Sequence, residues 1–240
     1  MSRLPVISLM MLFLQCALVS GQVSFDGQLS SIASYSPRAE RPLFVATRYI
    51  PELSYETKVD SLSKLGFEVS TNLDATWNEG LSDANISPYR MWVRYKKRQL
   101  ELRLGLQKIE FGSASILRPM QWFNQIDPRD PLGLTNGVYG ILGRYYFLNN
   151  ANIWFWGLYG NSASRGFDAL ATDPSIPEFG GRFQYPVPKG EVALTYHRRI
   201  VDASEFLPFP MEEGLAENRI GIDGKWDLGV GLWFEFAHLW

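Results

Sequence analysis

The chain has one cysteine, two histidines and, beyond its N-terminal segment, no long apolar run. Its only cysteine, Cys16, lies inside that segment, so a chain trimmed there has no thiol and disulfide stapling is excluded. Without stretches of about 20 mostly apolar residues, the remainder cannot be a bundle of membrane-spanning helices. A dominant charge sign is missing too. The 23 Lys and Arg stand against 25 Asp and Glu, and a formal net charge of -2 gives no electrostatic footprint for nucleic acid. With two distant histidines and no retained thiol, only carboxylate binding of calcium by Asp127 and Asp130 has a donor set, and no metal centre or cofactor is expected.

What the chain does have is aromatics and glycine: eight Trp, eleven Tyr, fifteen Phe and 21 Gly, within a mean hydropathy of only -0.11. Met1 to Gly21 reads as a secretory signal. Arg3 supplies the positive start, Leu4 to Leu18 the apolar core, and Val19-Ser20-Gly21 the small residues for cleavage. Gln15 precedes Cys16 where an acylation site wants a small residue, so a lipid anchor is not expected. The mature chain, 22–240, then carries a formal charge of 22 − 25 = −3 once Arg3 is gone.

Period-two alternation fills this mature chain. Phe67, Val69, Thr71, Leu73, Ala75 and Trp77 form one apolar row against Glu68, Ser70, Asn72 and Asp74. Tyr89, Met91, Val93 and Tyr95 oppose Arg90, Trp92, Arg94 and Lys96; Leu100, Leu102, Leu104 and Leu106 oppose Glu101, Arg103, Gly105 and Gln107. Similar rows recur to the end, predicting about eleven strands at 25–35, 43–57, 66–77, 87–97, 99–111, 138–147, 151–160, 179–187, 190–200, 217–227 and 229–240.

A soluble sandwich also alternates, because one face of each sheet packs on a core. Here the polar row holds long charged side chains and Gly, whereas the apolar row is bulky and closed by aromatics such as Tyr145, Tyr146 and Phe147. That distribution fits a transmembrane barrel, with lipid outside, a wet lumen inside and aromatic girdles at both interfaces. Connections alternate as well. Short ones at 97–99, 149–150, 186–189 and 227–229 interleave with long ones at 78–86, 113–137, 161–178 and 201–216, as an up-and-down barrel requires. The expected fold is therefore all-β, a transmembrane antiparallel up-and-down barrel behind a signal-peptide helix.

The third external loop, 113–137, is the candidate constriction. Prolines 119, 128 and 131 stiffen it, and Arg118, Asp127, Arg129 and Asp130 carry its charge. Lumen rows offer Arg90, Arg94, Arg103 and Arg144, with Glu101 among them. Acidic loop residues facing an arginine wall would set a transverse field that sorts polar solutes. The same charges could equally pair with one another and peg the loop to the rim.

The run Gly105-Leu106-Gln107-Lys108-Ile109-Glu110-Phe111-Gly112, then Leu117-Arg118-Pro119 and Asn124-Gln125-Ile126-Asp127-Pro128-Arg129-Asp130, resembles a signature of Gram-negative outer-membrane porin-like barrels, including alginate-export-like and related uncharacterised families. Gln125 departs from that pattern, standing where proline is frequent. The resemblance covers about thirty residues specifically. It implies an outer-membrane location, assembly by the barrel-assembly machinery, and passage of small polar solutes or oligosaccharides, and it names neither solute nor oligomeric state. The alternative is a non-channel barrel, an adhesin, assembly protein or surface enzyme, whose lumen is plugged by charge pairs.

An enzyme is not expected. Membrane-barrel lipases use a His and a Ser two apart on one strand face, and Arg199 stands two residues after His197; Asp202 and Glu205 near His197 read as ordinary loop carboxylates. An odd strand count, with Trp240 at the external end of its strand, favours a truncated longer barrel; a complete barrel of ten or twelve strands is the alternative.

Overall fold

The computed structural model describes residues 21–114, 117–124, 134–135, 137–163, 165–166, 168, 170–202 and 214–240. The signal segment lies outside them. Among the described residues no helix forms and twelve β-strands do. They fall into two compact units that meet in the chain at Arg98 and Gln99.

The first unit is a meander of four long strands, β1 (Gly21–Tyr35), β2 (Leu43–Lys58), β3 (Ser63–Asn78) and β4 (Leu81–Lys97), each antiparallel to the next. The second contains β5 (Leu100–Gln107), β6 (Val138–Tyr146), β7 (Asn152–Leu158), β8 (Ala171–Thr172), β9 (Glu178–Val187), β10 (Gly190–Asp202), β11 (Leu215–Asp227) and β12 (Gly231–Leu239). Its order is β5-β6-β7-β9-β10-β11-β12, antiparallel throughout, with the two-residue β8 on the far end of β10. Eleven of the strands are those predicted, ten of them within four residues at either end and β4 with an earlier start. The twelfth, β8, is too short to give a periodic signal. Within its own unit β1 pairs with β2, and within its own unit β12 pairs with β11.

Two local expectations fail. The long loop at 78–86 is a two-residue turn: Glu79 and Gly80 both take positive φ, 40° and 97°, the twist that continues a right-handed hairpin. Residues 81–86 extend β4, pairing Leu81 with Asn78 and Ile86 with Leu73. Polar side chains on both faces made that stretch look like a loop. Tyr89, placed in the apolar row, is instead the extra residue of a β-bulge, since Ser70 pairs Arg90 and Thr71 pairs Pro88. Pro88 has no N–H to give the ladder, which accounts for the break.

The alternation itself holds. In the second unit one face presents Leu104, Ile141, Phe155, Phe179, Phe183, Leu194, Ile222 and Phe236, all exposed; Phe155 is 60% exposed. The opposite face buries Arg182, Thr195, His197, Arg219 and Asp223 almost completely. A water-soluble sheet would bury the first row and wet the second, so this distribution is inverted. The first unit repeats the exposed row with Phe25, Leu29, Leu53, Val69 and Met91.

Candidate functional site

The polar face of the second unit is a wall built by register. Glu101 pairs Arg144, Arg144 pairs Trp154, Trp154 pairs Arg182, Arg182 pairs Thr195 and Thr195 pairs Gly221, so one transverse row of side chains points the same way. The chain leaving β5 turns onto this wall. Ile109, Phe111, Met120, Trp122 and Phe123 are buried there against Val138, Leu142, Trp156 and Leu158. Phe111 stacks on Trp156 with centroids 5.5 Å apart, and Phe123 meets the same indole edge-on at 5.5 Å. Glycine makes the approach feasible. A Cβ on Gly221 would overlap Met120, and one on Gly180 would overlap the Trp156 ring and the Tyr196 carbonyl.

Below these rings lies a bonded histidine. The Trp156 indole N–H donates to His197 Nδ1 at 3.2 Å; an indole only donates, so Nδ1 carries no proton and Nε2–H faces Glu178 Oε2 at 3.2 Å. Glu178 also accepts from Arg165 at 2.8 Å, and Arg165 bonds Thr172 Oγ1 at 2.7 Å. Arg165 comes from the connection between β7 and β9, so this buried pair seats a second long loop on the wall. Asp168 of the same connection receives Arg199 at 2.7 Å and Arg219 at 2.6 Å, while Glu217 binds both arginines. Burial raises the Asp168 carboxyl, and the charges of Arg219 and Arg199 offset only part of that rise. Arg182 grips Asp223 with both terminal nitrogens, the fork geometry in which arginine binds a carboxylate most strongly.

Of the predicted lumen arginines, Arg103 and Arg144 converge on Glu101, at 3.2 Å and 3.7 Å, and Arg144 lies 3.9 Å above the Trp154 ring. Arg90 and Arg94 belong to the first unit. Arg94 bonds Glu56 at 2.9 Å, and Arg90 is buried with its guanidinium 4.0 Å over Tyr89. Arg118 of the constriction set pairs with Glu110 at 2.6 Å and bonds the Phe111 carbonyl at 3.2 Å, both within the chain that leaves β5. Burial opposes charge on Glu110, but the hydrogen bonds and charges of Lys108 and Arg118 outweigh it and hold the carboxyl below its ordinary value. Asp127, Arg129 and Asp130 lie outside the described residues.

Where the described part of the loop meets the wall, the loop supplies donors and the wall supplies carboxylates: Ser113 Oγ bonds Asp223 Oδ2 at 2.9 Å and the Ala114 N–H bonds Glu235 Oε1 at 2.6 Å. Arg165, Asp168, Glu178, Arg182, Arg199 and Glu235 were missed as site residues. Their signal was present in part, since charged residues at every second position of an otherwise apolar strand need partners; the partners' identities are nonlocal. Neither a protein-family model nor a curated protein matches this chain.

Proposed function

We propose that the chain forms an outer-membrane porin-like channel for small polar solutes or oligosaccharides, exported by its N-terminal segment and narrowed by the long connection after β5. The observation that carries the reading is the inverted distribution of the strands. A continuous apolar row is exposed while the charged row is buried under an inward-folded loop. An exposed apolar face spanning this many strands is stable next to hydrocarbon and is an aggregation liability in water. Spanning by such strands requires closure into a barrel, because a bilayer does not tolerate an unpaired strand edge.

A second reading has its own support. Every described lumen-wall arginine of the second unit has a carboxylate or an aromatic ring against it, and aromatic packing seals the loop to the wall, which favours a plugged, non-channel barrel. Planar-bilayer recording separates the two. The channel reading expects discrete current steps from the folded protein, and a folded protein that stays silent across voltage and salt refutes it.

A further inference from the structure

The loop after β5 is held by a pair of carboxylates that the wall's own cations do not share equally. Asp223 on β11 and Glu235 on β12 are direct cross-strand partners on the polar face, an arrangement of like charges that is unfavourable by itself. Asp223 is neutralised by Arg182. Glu235 is met by the loop: Ala114 N–H reaches Oε1 at 2.6 Å and Met120 N–H reaches Oε2 at 3.4 Å, one amide to each oxygen. Ser113 adds its hydroxyl to Asp223 at 2.9 Å. Gly112 makes the fit feasible on two independent counts. Its φ of +99° is strained for other residues, and a Cβ there would collide with the Glu235 carboxylate. Hydrogen bonds from backbone amides to a carboxylate are charge-assisted and stronger than neutral ones.

We propose that Asp223 and Glu235 form a clasp that positions the inward loop, and that opening it widens the path along the wall. Glu235 is the positioning residue: it fixes where Ala114 and Met120 sit, and through Met120 and its neighbours where Phe123 seals against Trp156 and Trp122 lies over His197. The inference rests on the channel reading for its consequence and on geometry alone for the clasp.

The test uses the full chain folded in lipid vesicles, with Glu235→Ala, and Glu235→Gln as the milder variant should the first not fold. Folding is checked by heat-modifiable gel mobility. Hydrogen exchange is followed at the amides of Ala114 and Met120, with the β10 amides as internal reference, and conductance is recorded in parallel. The clasp predicts at least about tenfold faster exchange at those two amides with β10 unchanged, since a charge-assisted bond is lost, and larger current steps than the parent. Unchanged exchange in a folded variant overturns the proposal. So does a conducting parent whose loosened variant carries the same current. Faster exchange with no current from either protein removes the channel reading and leaves the clasp as the loop's anchor.

Discussion

Replacing Phe155 by arginine tests what the exposed row faces. Phe155 is the middle residue of β7, lies opposite Gly143 on β6 and Gly181 on β9, and is 60% exposed. In water the loss would be small. Full burial of a Phe side chain is worth roughly 1.5–3 kcal/mol, about 40% of this residue is covered, and the aliphatic stem of Arg restores part of that cover, so the net is within about 1 kcal/mol. In a bilayer the same change puts a guanidinium at mid-depth, which costs about 2–4 kcal/mol in transmembrane barrels. That is roughly a 30- to 700-fold shift in the folding equilibrium. Leu148→Arg is the control: Leu148 is 92% exposed in the turn after β6, where an interfacial arginine costs about 0–1 kcal/mol. Urea titration of vesicle-embedded protein, read by tryptophan fluorescence, gives both values. A Phe155→Arg cost below about 0.5 kcal/mol, or one equal to that of Leu148→Arg, would refute the assignment of this row to hydrocarbon.

Three further outcomes follow from the second unit. Gly180→Val forces atoms into the Trp156 ring and the Tyr196 carbonyl and should destabilise by about 1–3 kcal/mol, whereas Gly143→Ala, whose Cβ meets nothing nearer than 3.4 Å, should be close to neutral; equal denaturation midpoints for the two would contradict the packing. Glu178→Gln leaves Arg165 buried without its counter-ion and should cost about 3–5 kcal/mol, with Arg165→Met in the same background recovering part of it; no recovery in the double-mutant cycle would show that the pair is not coupled. The third concerns pH. The Glu110 carboxyl is held below its ordinary value in the folded state, so its contribution is complete above the unfolded value of about 4.3 and is lost as pH falls through the lower folded value. Acid should therefore loosen the Arg118–Glu110 pair, more gently than a buried pair because Glu110 is partly exposed. Glu110→Gln should flatten that part of the stability profile, and an unchanged profile would count against the assignment.

Alternation made much of the fold legible in the residue order. Side chains on a strand point to opposite faces in turn, so Phe67 to Trp77 and Leu100 to Leu106 declared both a strand and its two faces from local order alone. Where a second local rule intruded, the reading slipped. Pro88 broke the ladder and displaced Tyr89 into a bulge, and the polar run after Glu79-Gly80 hid a strand extension, because a projecting hairpin has no apolar neighbour to advertise it. At the site, Arg103, Arg144 and Glu101 share the polar face that alternation gave them, and Arg118 pairs with Glu110 of its own connection.

The amino-acid order by itself determined where the strands run, which side of each is apolar, and which loop is long enough to fold inward, since all three depend on residues within a few positions of one another. Tertiary structure alone decided what that loop meets. Ser113 and Asp223 are 110 residues apart, and Ala114 and Glu235 are 121 apart. No periodicity reaches that far; only the antiparallel pairing of β11 and β12 within the wall brings those carboxylates to the loop's donors.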